Sequence, residues 1–278
     1  MALGLKLTDT DFHKFSHLIR EKAGIRLHED KKQLVQSRLA KIIREENFDS
    51  FRSYYQHVIQ DETGYEITRM LDFITTNLTS FFREPLHFSF MAKTLIPELI
   101  DMVNQGNPPR LRLWSAGCAT GEEVYSLAIT LLDTLPQPEN WDIKILGTDL
   151  STTSLRTALK GIYPTKKVAG LPKATLRRYF QKGGSEKTKN LYKVKDEVRR
   201  LAYFRFLNLK NVFPFKNPFN VIFCRNVMIY FDKDFQRNLV NRFYRVLAKG
   251  GYLFVGHSES LSWLQSAFKY IKPAIYKK

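Results

Sequence analysis

Residues 111–135 constrain the fold most. Leu111-Arg112-Leu113-Trp114-Ser115-Ala116 is a short apolar run of strand character, Gly117 to Gly121 is a turn of small residues, and Glu122 to Leu135 is a helix with an apolar face. The alternation repeats downstream. Ile143 to Thr148 reads as a strand ending at Asp149, and Ser151 to Lys160 as a helix opened by a serine cap. Tyr203 to Leu207, Phe219 to Cys224, Tyr252 to Gly256 and Ala274 to Lys277 read as later strands. Helix Lys233 to Leu247 lies between two of them, and a Gly250-Gly251 turn opens the last pair. Strands alternating with helices at this spacing predict an α/β, doubly wound sheet.

The first 80 residues carry a different pattern. Thr8 to Asp11 is a capping-box start, after which Phe12, Phe15, Leu18, Ile19 and Ala23 keep helical spacing up to Gly24, a suitable stop. A second helix runs from about Asp30 to Glu46, with Leu34, Val35, Leu39, Ile42 and Ile43 on one side and Arg38, Lys41 and Arg44 on the opposite arc. Phe51 to Gln60 and Glu66 to Ile74 read as further helices. Leu176 to Val198 breaks the α/β alternation: a Gly183-Gly184 turn separates two runs of strand character, a small β excursion. The expected organisation is a helical domain and linker over 1–85 and an α/β domain over 86–278, with a β insertion at about 176–202.

Charge is uneven. Lys and Arg number 44 against 27 Asp and Glu, a net +17, and residues 156–210 alone hold 16 basic and 3 acidic side chains. Such a patch suits an acidic macromolecule. Mean hydropathy is −0.31. No apolar run reaches the ~18 residues a membrane span needs, and Met1 to Asp11 has no signal-peptide core, so a soluble, cytoplasmic protein is expected. Two cysteines, Cys118 and Cys224, exclude a disulfide framework and a four-cysteine zinc site, and both are expected to be reduced.

In an open α/β sheet, ligands bind beyond the carboxyl ends of the strands. The turn after the first strand reads Ala116-Gly117-Cys118-Ala119-Thr120-Gly121-Glu122-Glu123. It is neither GxGxxG nor a P-loop. Glu122 and Glu123 stand where a helix N-terminus would otherwise favour phosphate, and would repel a pyrophosphate. Asp149, at the end of the second strand, is placed to accept hydrogen bonds from ribose hydroxyls. Together these favour a nucleoside cofactor without phosphates and with a cationic amino-acid portion, of which S-adenosylmethionine is the example.

Four further motifs complete the pattern: TTNLTSFFRE from Thr75 to Glu84, WSAGCATGEEVY from Trp114 to Tyr125, FCRNVMIYFD from Phe223 to Asp232, and GHSE from Gly256 to Glu259. Their order and spacing, from about Leu7 to Tyr276, resemble the CheR family of chemotaxis receptor methyltransferases. These are S-adenosylmethionine-dependent protein-glutamate O-methyltransferases. The resemblance implies an all-helical N-terminal domain, a Rossmann-like methyltransferase domain and a small inserted β-subdomain. It places cofactor contacts at Asn77, Thr79, Arg83, Glu123, Asp149, Asn208, Leu209, Arg225 and Asn226, with Tyr230 and Arg83 at the site of transfer. It implies S-adenosyl-L-methionine as cofactor, S-adenosyl-L-homocysteine as product, and no metal.

The implied partner is a chemoreceptor cytoplasmic domain, a glutamate-containing helical bundle, met by Arg38, Lys41 and Arg44 near the mouth of the site. In some members the β-subdomain also captures a C-terminal tail peptide. Leu191, Tyr192 and Val194 are the strand residues available for this, with Lys187, Lys189, Lys193 and Lys195 around them, although those lysines serve equally to keep an open edge soluble. A monomer is expected. A nucleic-acid methyltransferase would suit the charge, but amino-directed DNA enzymes of this fold carry [DNS]PP[YF] after the fourth strand, where this chain has Arg225-Asn226-Val227-Met228. Its Asn107-Pro108-Pro109-Arg110 precedes the first strand. A non-catalytic adaptor of the same fold is the other alternative.

Overall fold

The computed structural model describes residues 5–75, 77–264 and 266–278. The N-terminal helices are α1 (Asp9–Ala23), α2 (Lys32–Glu45), α3 (Phe51–Gln60) and α4 (Tyr65–Ile74). Thr8 caps α1 by accepting from the Asp11 N–H, and Gly24 ends it in the left-handed conformation at φ +74°. Phe12, Phe15, Ile19, Val35, Leu39, Ile43 and Tyr54 form the buried core of this unit. Leu34 departs from expectation. It is 38% exposed and faces a cavity instead of the core.

A helical rod over 85–104, for which the sequence raised no expectation, follows: α5 (Pro85–Phe90) and α6 (Ile96–Asn104), joined by one π turn over Met91–Leu95. Pro97 has no N–H to give to the preceding turn, and the Ile96 N–H reaches back to Met91, five residues away.

The second unit continues as β1 (Arg110–Ala116), α7 (Glu122–Thr134), β2 (Asp142–Asp149), α8 (Thr152–Lys160), β3 (Ile162–Pro164), α9 (Thr165–Val168), α10 (Lys173–Tyr179), β4 (Phe180–Lys182), β5 (Leu191–Val194), α11 (Asp196–Arg199), β6 (Ala202–Phe206), β7 (Phe219–Cys224), α12 (Lys233–Val246), β8 (Leu247–Val255), β9 (Lys269–Lys272) and β10 (Ile275–Lys277). Among the described residues the main sheet has the order β6-β2-β1-β7-β8-β10-β9. All its pairs are parallel except those of β10, which runs antiparallel to β8 and β9. Residues of β1 alternate between two cores: Leu111 and Leu113 pack with α7, and Trp114 with α12. Cys118 and Cys224, both buried free thiols, belong to different cores.

Two strand expectations need correction, and one strand, β9, lies outside them. Gly250-Gly251 is no turn: it lies inside β8, where Gly250 at φ +74° makes a bulge against β7. Strand β9 carries only four residues and has no periodic signal of its own. The β excursion begins earlier than 176, because β3 from Ile162 is part of its sheet, ordered β3-β5-β4. Short, half-exposed strands of three or four residues leave little alternation to read.

The two units are stitched together. Ile25 bridges Phe231, the Arg26 N–H donates to the Tyr230 carbonyl at 2.8 Å, and Arg20 pairs with Asp232 at 2.8 Å. Asn208 donates to the Lys22 carbonyl at 2.7 Å, and Thr152 to Asp72 at 2.8 Å. These contacts hold the chain after α1 beside the carboxyl ends of β1, β2 and β7.

Candidate active site

Strand β1 sits between β2 and β7, so the chain leaves it in opposite directions and a crevice opens at the strand ends. There the structure has a cavity of about 840 Å³. Asn77, Thr79, Arg83, Glu123, Asp149, Asn208, Leu209, Arg225, Asn226 and Tyr230 all line it. Residues not named as contacts also line it: Arg26, Lys31 and Leu34 from the helical unit, outside every motif, and, within the motifs, Gly117 and Ala119 of the first turn and Val227 and Ile229 beside Tyr230. Only the tertiary packing of α1 and α2 brings the first three there.

Asp149 is 8% exposed. One oxygen accepts from the Ala119 N–H and the other from the Ser151 N–H, both at 2.8 Å. Burial pushes its carboxyl up, and the backbone donors oppose that shift. Ala119 adopts φ +47° and Gly117 φ +84°. A Cβ on Gly117 would stand 2.4 Å from Val227, so the turn approaches the loop after β7 as closely as glycine allows.

Glu122 and Glu123 have separate duties. Glu122 is fully buried, pairs with Lys167 at 2.8 Å and accepts from Thr120 at 2.6 Å. Lys167 also donates to the Thr79 carbonyl at 2.9 Å, which ties the β excursion to the linker. Glu123 accepts from Ser115 at 2.7 Å and from Arg225 at 3.0 Å.

Arg225 is the buried hub. Its guanidinium meets Glu123 at 3.0 Å and Glu84 at 3.2 Å, donates to the Arg83 carbonyl, and lies about 6 Å from the rings of Phe88 and Phe223. Glu84, at φ +56°, stands at the N-terminus of α5. Burial pushes its carboxyl up, but Arg225, His257 and His87 outweigh burial and hold it below the usual range. The Arg83 side chain borders the cavity and donates to the Leu78 carbonyl at 3.1 Å. The side chain of Asn208 holds Lys22 and accepts from the Lys210 N–H, so it secures the seam between units as well as edging the cavity. Tyr230 stands at the mouth, 37% exposed.

Carboxylate and imidazole atoms of Glu84, His87 and His257 lie within 4.8 Å of one another. The Arg225 guanidinium on Glu84 already holds a fixed positive charge there. His87 is 1% exposed, and burial, followed by Arg225, lowers its pKa to about 4. An unfolded histidine titrates near 6.5, so between about pH 6.5 and 4 only the unfolded chain takes the proton. Stability should therefore be intact above that window and fall by about 3 kcal/mol as the pH drops through it. Urea unfolding across this range should show the slope in the wild type and lose it in His87→Leu; equal slopes would remove His87 as its source.

Arg38, Lys41 and Arg44 do not line the cavity. Arg38 is half-buried and donates to the Ile74 carbonyl, just before the linker that carries Asn77 and Thr79. It therefore anchors the linker and does not belong to an exposed arc. Lys41 and Arg44 are exposed, with Lys41 3.8 Å from Glu45 and over the Phe73 ring.

The residues fit a nucleoside with a charged tail. The volume is that of a small-molecule site, Asp149 ends β2, Leu150 and Leu209 give apolar wall, and Gly117 allows close backbone approach. Sheet order and cavity together define a doubly wound α/β protein with a nucleoside-sized site at its switch point. A family model described as the CheR methyltransferase SAM binding domain matches residues 77–276, and one described as the CheR methyltransferase all-alpha domain matches residues 10–75. The chain is 36% identical to a chemotaxis protein methyltransferase of Borreliella burgdorferi, covering 99% of this chain and 96% of that protein. It is 36% identical to the chemotaxis protein methyltransferase of Escherichia coli, covering 99% and 93%. It is 39% identical to a probable chemotaxis protein methyltransferase of Rhizobium etli, covering 88% and 90%. The chain belongs to the CheR methyltransferase family. Among the described residues no helix is long and apolar enough to cross a membrane.

Proposed function

We propose that this protein is a cytoplasmic enzyme that methylates glutamate side chains of chemoreceptor cytoplasmic domains, giving glutamate methyl esters. The observation that carries this reading is the placement of Asp149, deep in the cavity, and Tyr230, at its open mouth, on either side of the switch point, in a chain similar throughout to chemotaxis protein methyltransferases.

The bound cofactor supplies a methyl group on a positively charged sulfur. A glutamate side chain, with a reference pKa near 4.3, is ionised at neutral pH, so the chain has no proton to remove before attack. With the cofactor bound, Tyr230 at the mouth would present a carboxylate oxygen to that methyl group, the sulfur keeping the electron pair of the bond it gives up. The reaction cancels two opposite charges that water stabilises, so alignment in a partly dry cleft is the chain's main contribution. Asp149, Asn226 and the first turn orient the cofactor, Tyr230 orients the incoming carboxylate, and Arg83 positions the linker wall. Incubation with methyl-labelled cofactor and a receptor cytoplasmic fragment should give base-labile label on the receptor and none on DNA or RNA. Label on nucleic acid, or none anywhere, would overturn the reading.

Tyr230→Phe should lower turnover while cofactor affinity holds, since the hydroxyl serves the carboxylate. Calorimetry with the product beside steady-state kinetics separates the two, and collapse of affinity with turnover intact would reassign Tyr230.

Docking falls to two surfaces in this reading. Lys41 and Arg44 offer charge to an acidic bundle, at ~0.2–1 kcal/mol per exposed contact and screened by salt. A receptor tail would add as a strand to the small sheet. Because β5 is paired on both sides, Leu191, Tyr192 and Val194 are not open to it; the edges are β3 and β4. With a tailless receptor fragment at low salt, the double reversal Lys41→Glu and Arg44→Glu should raise KM without changing cofactor affinity. The isolated tail peptide should bind wild type and double variant equally. An unchanged KM removes the first surface, and absence of peptide binding removes the second.

A further inference from the structure

The GHSE motif sets His257 beside Glu84, and its last residue also touches the site's framework. Glu259 is 6% exposed and carries a carboxylate into the base of the loop after β7. One oxygen accepts from the Asn226 N–H and the Gly256 N–H, both at 2.7 Å. The other accepts from the Ile229 N–H at 3.1 Å. Three backbone donors from the ends of β7 and β8 thus converge on one side chain.

The carbonyls of the segment it holds are tied elsewhere, Met228 and Phe231 by the Gln236 amide and Tyr230 by the Arg26 N–H, while Glu259 takes the N–H groups of Asn226 and Ile229. Asn226 stands at φ +58°, a left-handed conformation that asparagine adopts more readily than other non-glycine residues, and it turns the chain sharply at the end of β7. Met228–Tyr230 is a single 3₁₀ turn. This segment brings Asn226, Val227, Ile229 and Tyr230 to the cavity wall. The space for the contact is left by Gly256, where a Cβ would stand 2.7 Å from the Glu259 carboxylate and 2.8 Å from the Asn226 side-chain amide.

We propose that Glu259 is a positioning residue for methyl transfer: its buried carboxylate fixes the loop after β7 and so sets where Asn226 and Tyr230 stand in the cavity. This rests on the roles given above to those two residues. The two oxygens divide the work, one holding the Asn226 end and the other the Ile229–Tyr230 end. A carboxylate is required because all three partners are donors, and a side chain with a donor of its own cannot satisfy them all.

Glu259→Gln separates the two ends. Its carbonyl oxygen can take the paired N–H groups of Asn226 and Gly256, which turns the amide onto the Ile229 N–H, donor against donor. Turnover should fall about tenfold or more, the equivalent of one buried donor left unpaired. Affinity for S-adenosylhomocysteine should stay near wild type. Hydrogen exchange should rise at the Ile229 and Tyr230 amides and remain unchanged in the central strands. Glu259→Ala should lose both turnover and affinity. Gly256→Ala, which keeps the carboxylate but crowds it, provides the test if Glu259→Gln fails to fold, and should raise exchange in the same loop.

Unchanged exchange in the loop of the folded glutamine variant would overturn the clamp. Raised exchange with wild-type turnover would overturn its part in positioning. Tyr230→Phe, run alongside, keeps the two readings distinct. If it turns over like wild type while Glu259→Gln is slow and loose, the role given to Tyr230 fails and the clamp stands.

Discussion

Arg225→Met should lower the free energy of unfolding by about 3–5 kcal/mol at neutral pH, the cost of breaking a buried ion pair from one side. The arginine side chain is 2% exposed, and the two carboxylates it neutralises, Glu84 and Glu123, are each 13% exposed. Methionine nearly matches its length but leaves two carboxylates with little solvent and no fixed counter-charge. Glu84 is now held below its usual range because Arg225, with the histidines, outweighs burial. Without the guanidinium, burial prevails, its folded-state pKa rises above the unfolded value, and protonation on acidification then favours the folded state. The gap between variant and wild type should narrow as the pH falls from about 7.5 towards 5. Cofactor binding should be lost as well, because Arg225 also holds the Arg83 carbonyl and thus the linker against the cavity. Urea titrations at several pH values test this. A gap below ~1 kcal/mol, or one that widens on acidification, would show that the hub contributes nothing as a charge cluster.

The second large effect belongs to Asp149. Asp149→Ala should weaken cofactor binding by about 2–4 kcal/mol, roughly 30- to 1,000-fold, from two sources that share one side chain. Ribose contacts to the carboxylate, which the proposed function assigns to Asp149, would be lost. So would the acceptor for the Ala119 N–H, which holds that residue at φ +47°. Asp149→Asn keeps one acceptor oxygen and should fall between alanine and wild type. Calorimetry with the demethylated product, on protein shown to be folded, decides the matter. Wild-type affinity in the alanine variant would exclude this end of β2 as the ribose site.

Both predictions depend on contacts that no local pattern announces. Arg225 lies 141 residues from Glu84 and 102 from Glu123. The motif resemblance marks Arg225 and Glu123 as cofactor contacts, but nothing in the sequence pairs them with each other or with Glu84, and Arg83-Glu84 reads most simply as a neighbouring pair. The same holds for Glu259, which reaches back 33 residues to Asn226. Motif resemblance brought Asn77, Thr79, Asp149 and Tyr230 to notice because long, ordered strings are specific; it did not say which of them face solvent, backbone or one another.

What the sequence by itself determined is what backbone and solvent decide locally. The strand–turn–helix of β1 and α7, the caps at Thr8 and Ser151, and the alternation that sends Leu113 and Trp114 into opposite cores are all properties of a few adjacent residues. Tertiary structure decided the rest. Leu34 belongs by spacing to the buried side of α2, but α3 and α4 cover only part of that side and the remainder borders the cavity. Arg38 reads as a wet cation until the Ile74 carbonyl is packed against it. Strand β3 is three residues long and exists because β5 lies beside it. Periodicity reports how a chain meets its own core, whereas a charge hub, a carboxylate clamp and a cavity wall arise where separate elements meet, and their partners are chosen by packing.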